Sequence, residues 1–171
     1  KGILREYPTS SIRNHTAKVL GYNIWDDLLL VVGDSAYSLN DMEHKILRKQ
    51  REPRIHFAIV CASIGCPRLL NEAYAAERLN DQLTSNARHF FDDRTKFYVD
   101  QDVIHVSPIL QWFGEDFGAR ASEQMRTIAP RLPDEASRQL AAGGKAAVTY
   151  LDYDWGINDR TIAAAGGTNR R

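Results

Sequence analysis

Leu28-Leu29-Leu30-Val31-Val32 and Ala36-Tyr37-Ser38-Leu39 stand on either side of Gly33-Asp34-Ser35. Two short apolar segments around such a turn signal predict a β-hairpin, with Leu28 to Val32 as a buried strand. Phe97 to Asp100 and Val103 to Ser107 bracket Gln101-Asp102 in the same way. Hairpins impose antiparallel pairing, and here they alternate with helical stretches rather than with regular βαβ crossovers. Asn40 is placed to cap a helix reaching about Lys49, with Glu43 three residues on in a capping-box position. A longer helix, about Glu77 to Phe91, carries Leu79, Leu83, Ala87 and Phe90 on one face. Ser107-Pro108 starts a helix holding Trp112 and Phe113, and two further helical pieces surround Pro130 and Pro133. Ile55 to Cys61 reads as a strand, and Val148 to Tyr153 as a late strand returning to the sheet. Gly2 to Tyr7 reads as a helix end stopped by Pro8. The expected fold is a single α+β domain over residues 1–160, a mixed, largely antiparallel sheet with packed helices, followed by a flexible tail over 161–171.

A chain of 171 residues is long enough for one such core without covalent staples. Lys plus Arg number 22 and Asp plus Glu number 22, and no basic stripe interrupts that balance, which excludes the usual nucleic-acid binding module. No apolar run approaches the ~20 residues of a membrane span, so a soluble protein is expected. The chain contains no GxGxxG, no P-loop and no HExxH, and nothing else in it implies a cofactor. It opens on Lys1 rather than methionine, the mark of a processed chain or a fragment, so compartment is not legible from the absence of a leader.

The chemically loaded stretch is His56 to Pro67, which holds both cysteines and one of the five histidines. Cys61 falls where an apolar strand would end and a loop of small residues, Ala62 and Ser63, begins. That is a common seat for a nucleophile, because the scaffold fixes it while the loop admits substrate. Cys66 precedes Pro67, where a short helix could begin. The plain alternative is that both thiols are core residues, since cysteine is among the most buried residue types. A Cys61–Cys66 disulfide is a further alternative in an oxidising compartment, although a four-residue gap on a turn is geometrically demanding.

Strand alternation over Ile55 to Cys61 turns His56 to the face opposite Cys61. It thereby points to the preceding helix for a partner, where Glu43 falls inside the apolar arc of Leu39, Met42, Ile46 and Leu47 and His44 lies at its flank. An inward Glu43 beside His44 and a thiol makes an orienter, base and nucleophile set. The capping box accounts for Glu43 without catalysis, and a satisfied histidine on the second sheet face accounts for His56.

Leu39 to Arg48, Pro53 to Ala58, Cys61 to Pro67, Ala73-Tyr74, Ser107 to Phe113 with Asp116-Phe117, and Tyr150 to Trp155 follow one another in an order that resembles the domain of unknown function 547 family. The resemblance covers about Lys1 to Asn158. It implies either a bacterial protein, often exported or periplasmic, or a plant protein with a neighbouring coiled-coil segment, and it makes Cys61 more characteristic than Cys66. The family usually carries a helix with an Asn-Ala-Tyr-Asn-like run ahead of the position of Gly2-Ile3-Leu4, so this chain is expected to lack that N-terminal helix. Val60 and Gly65 stand where the family often has Asn and Ser.

Three readings of function remain open at this point. In the first, a cysteine-dependent hydrolase or transferase acts on an amide or thioester of a small molecule or peptide, with Cys61 as nucleophile and Glu43, His44 or His56 tuning it. Ser63, Cys66 and Tyr74 are then the candidate binding residues. In the second the chain is a non-catalytic binding module. In the third, Cys61, Cys66 and a histidine hold a metal, against which Cys-x₄-Cys is looser than the usual Cys-x₂-Cys.

Overall fold

The structure, a computed structural model, describes residue 4, residues 7–14 and residues 23–159. Helices and two sheets make an α+β fold. Contacts divide the chain into two compact units, one holding the described parts of Lys1–Lys49, Cys61–Cys66 and Asp154–Arg171, the other Gln50–Val60 and Pro67–Tyr153. The predicted helix end at Gly2 to Tyr7 and the predicted tail lie largely outside the described residues. Among the described residues no helix is long and apolar enough to cross a membrane.

In the first unit, a single turn α1 (Ile24–Asp27) is capped by Asn23, whose side chain accepts from the Trp25 N–H. The expected hairpin follows as β1 (Leu30–Val32) and β2 (Ser35–Tyr37), with Gly33 at φ +61° in its turn. Its strands differ from expectation in burial. Val31 and Val32 are 76% and 60% exposed, because a two-stranded ribbon has two faces and nothing in the local pattern says whether either is covered.

The next helix is wider than expected, a π-helix over Asp41–Leu47 ending in a 3₁₀ turn, Arg48–Gln50. Asn40 does not cap it; its backbone is already helical and its amide instead donates to Asp26. The capping box lies two residues earlier. Ser38 Oγ accepts from the Asp41 N–H at 3.0 Å, and Asp41 Oδ2 accepts from the Ser38 N–H at 3.1 Å. The helix then leaves Ile46 and Leu47 40% and 37% exposed, so the predicted apolar arc is only partly covered. Ser38→Ala is expected to lower stability by about 1 kcal/mol in chemical denaturation. Hydrogen bonds from Lys45, and then from Ser38, hold the Asp41 carboxyl down to about 2 from 3.8. Its contribution is therefore complete above the ordinary value and lost as pH falls toward 2. An NMR titration should find that low midpoint, and Lys45→Ala should move it back toward 3.8.

The second unit holds the second hairpin, β3 (Phe97–Asp100) and β4 (Val103–Val106), turning on Gln101 and Asp102 at φ +46° and +65°. Two consecutive left-handed residues match the right-handed twist of a two-residue hairpin. The late strand β5 (Ala147–Tyr150) joins β4 in parallel, giving a mixed sheet of order β3-β4-β5. Helices α2 (Leu79–Asp92), α3 (Ile109–Trp112), α4 (Gly114–Phe117), α5 (Ala121–Ile128) and α6 (Glu135–Gly143) complete the unit. On α2, Leu83, Ala87 and Phe90 are buried as the periodicity requires, whereas Leu79 is 43% exposed at its first turn. Phe57, Phe90, Phe91, Phe97, Ile104 and Leu110 form the centre of the core, each no more than 2% exposed.

Candidate active site

Backbone hydrogen bonds hold residues 61–66 in place. The Ile64 and Gly65 N–H groups donate to the carbonyls of Gly156 and Asp154 at 2.8 and 2.9 Å, and the Asn158 N–H returns to Ala62 at 2.9 Å. A third ply comes from Ser10 and Ser11: the Ile157 N–H donates to the Ser10 carbonyl, and the Ser11 hydroxyl to that of Trp155. Gly156 sits close to its neighbours: a Cβ there would lie 3.3 Å from Ile64 Cδ1 and 3.0 Å from Asp154 Oδ1, so either side chain would have to give by a few tenths of an ångström. Within this pinned loop Ala62, directly after Cys61, sits at φ +64°. A non-glycine residue there is strained by roughly 1 kcal/mol or more, and such strain gathers at functional turns.

The loop brings three side chains to one point. Cys61 Sγ lies 3.0 Å from Ser63 Oγ and 2.6 Å from Cys66 Sγ. The Cys61 N–H donates to Cys66 Sγ at 2.8 Å. Ser63 is fully buried, Cys66 is 7% exposed and Cys61 is half-buried. Both sulfurs are thiols rather than a disulfide. Ser63 O–H and Cys66 S–H can both donate toward a Cys61 thiolate, the form in which sulfur attacks a carbonyl.

His56 is placed differently from the strand expectation. Pro53–Phe57 is a 3₁₀ helix, with Pro53 at its first turn and the Glu52 side chain capping it through the Arg54 N–H. Ile55, His56 and Phe57 are buried in succession, so the alternation that turned His56 away from Cys61 does not operate here. The ring of His56 stacks on Phe113 at 4.3 Å and lies 5.6 Å from Phe117. Its Nε2 is 2.7 Å from Asp116 Oδ2. With its proton on Nε2 the imidazole donates to the Asp116 carboxylate, a pairing that orients the ring. Asp116 is absent from the predicted site. It lies in the Ser107 to Phe117 block that carries the family resemblance, but no spacing rule ties it to a histidine 60 residues earlier.

Of the other predicted residues, Glu43 is half-buried on the π-helix and no longer explained by a capping box. His44 is exposed, with its Nδ1 3.3 Å from the Arg48 guanidinium. Tyr74 accepts a hydrogen bond from the buried Asn86 amide, which also donates to the Phe57 carbonyl. Burial pushes the Tyr74 hydroxyl above its ordinary pKa, against a smaller opposing pull from Asn86 and Arg68. Among the described residues no three His, Cys, Asp or Glu side chains are grouped to hold a metal ion, so the metal reading finds no ligand set there.

No curated protein and no solved structure matches the chain. A family model described as "Protein of unknown function, DUF547" matches residues 4–91, just over half of the chain. That span contains Glu43, His44, His56, Cys61, Ser63, Cys66 and Tyr74, and ends before Asp116. With more than half its length matched, the chain belongs to the DUF547 family of proteins of unknown function.

Proposed function

We propose that the chain is a cysteine-dependent hydrolase or transferase acting on an amide or thioester, with Cys61 as its nucleophile. The observation that carries this reading is the half-buried Cys61 thiol, set between the Ser63 hydroxyl and the Cys66 thiol in a loop strained at Ala62. Attack of the thiolate on an acyl carbon forms a C–S bond and expels an amine or a thiol. Water or a second nucleophile then takes the acyl group from sulfur. The candidate proton acceptors are the two histidines that the sequence offers, His44 and His56, and substitution of each decides between them.

The test uses p-nitrophenyl acetate and an acetyl thioester on the fully reduced chain. An acetyl adduct on Cys61 is expected by mass spectrometry, absent in Cys61→Ala. Iodoacetamide should alkylate Cys61 at least about tenfold faster than it alkylates glutathione at neutral pH. His44→Gln and His56→Gln are compared with the parent, and the one that slows acetylation identifies the proton acceptor. Alkylation no faster than that of glutathione, with no adduct formed, sinks the reading. A binding module is the second reading, favoured by the exposure of Val31 and Val32 on the β1–β2 ribbon and of Leu29 just before it. Full function in Cys61→Ala would select it.

A further inference from the structure

We propose that Cys61 and Cys66 form a reversible disulfide that switches the Cys61 nucleophile off under oxidation and on under reduction. This switch takes Cys61 as the nucleophile proposed above and adds a regulation to it. Sequence separation alone makes the pair an awkward one, because a four-residue gap on a turn is geometrically demanding for a disulfide. Here the turn is not ordinary. Left-handed Ala62, the Cys66 N–H to Ser63 carbonyl bond at 3.1 Å and the pinning of Ile64 and Gly65 to residues 154–156 fold the loop back on itself. The sulfurs are thereby 2.6 Å apart within a frame that other hydrogen bonds hold. Bond formation does not need to create the loop, and reduction does not need to destroy it.

The two thiols are also unlike in the way a redox pair needs. Cys61 is half-buried and reachable, whereas Cys66 is 7% exposed and screened from bulk reagents. The Cys61 N–H points at Cys66 Sγ from 2.8 Å, where it can hold negative charge on that sulfur. Cys66 is thus the resolving thiol on oxidation and the supported leaving thiolate on reduction. The oxidant is a hydroperoxide. Cys61 thiolate attacks its distal oxygen, breaking the O–O bond, and an alcohol or water leaves with the proton while Cys61 becomes a sulfenic acid. Cys66 thiolate then attacks the Cys61 sulfur, the S–S bond forms, and the hydroxyl departs as water. Two thiols have lost two electrons and the hydroperoxide has gained them. A dithiol reductant reverses the change, attacking Cys61, releasing Cys66 as thiolate and ending as a disulfide itself.

The full chain is reduced, freed of reductant and treated with hydrogen peroxide, and its intact mass and tryptic peptides are measured. The expected product is lighter by about 2 Da, with Cys61 and Cys66 in one cross-linked peptide. Its iodoacetamide labelling should be at least about tenfold lower and restored by dithiothreitol. Cys66→Ser should instead trap the sulfenic acid, labelled by dimedone, and proceed to the heavier sulfinic form. Cys61→Ser should leave Cys66 unoxidised at the same dose. Oxygen addition at Cys61 of the parent chain without the cross-link overturns the switch, as does a cross-link that dithiothreitol does not open. Acetylation of the reduced chain is read separately, so loss of the switch and loss of the nucleophile give different results.

Discussion

Phe57→Ala is expected to lower the free energy of unfolding by about 3–5 kcal/mol, a large part of the ~5–15 kcal/mol typical of a native protein. Phe57 is 2% exposed and meets Phe90 and Phe91 at centroid distances of 5.0 Å and Phe117 at 5.7 Å. Truncation removes the contacts of a whole ring and leaves a cavity that three other rings, held by their own helices, cannot fill. Urea denaturation should show a lower midpoint with an unchanged slope. Phe57→Leu, which returns most of the volume, should lose less. A loss below about 1.5 kcal/mol for the alanine variant would contradict this account of the core. Because His56 is the preceding residue on the same 3₁₀ turn, the anchor that stabilises the unit also positions the imidazole.

Arg54→Ala is expected to cost about 2–4 kcal/mol. Arg54 binds Glu52 through two parallel contacts, Nε at 2.8 Å and an Nη at 2.6 Å. Its other Nη donates to the Asn80 carbonyl, the Asn80 side chain and Thr84 Oγ1 on α2. The side chain is only 13% exposed, so little of this is screened by water. Arg54→Lys should recover a minor part, because a single ammonium cannot reproduce the planar fork. The pair also has an acid signature. The Arg54 hydrogen bonds hold the Glu52 carboxyl below its ordinary 4.5. Stability from this pair is therefore present above pH 4.5 and lost as pH falls through the lowered value. Denaturation midpoints followed from neutral to acid pH should fall less steeply in Arg54→Ala than in the parent.

Both anchors flank His56, and both were outside the reach of a strand reading of Ile55 to Cys61. The β-branched and aromatic residues there satisfy strand propensity, yet Pro53 at the first turn and the Glu52 side chain on the Arg54 N–H select a 3₁₀ turn. The capping box shows a related ambiguity. Ser38 with Asp41, and Asn40 with Glu43, both offer a cap residue and an acid three positions on. The backbone chose the earlier pair, and Asn40 went to Asp26 instead.

What the amino-acid order by itself determined is the local part: the turns at Gly33-Asp34 and Gln101-Asp102, the buried face of α2, and the confinement of both thiols to six residues of chain. Those features depend on neighbours a few positions away, and backbone sterics and periodicity are enough to specify them. Only the tertiary structure decided that Asp116 meets His56, that residues 154–158 pin the loop bringing Cys61 to Cys66, and that the Leu30–Val32 strand is largely exposed. Each of these rests on which distant surface covers a residue, and that is set by packing of the whole chain rather than by any pattern within a segment.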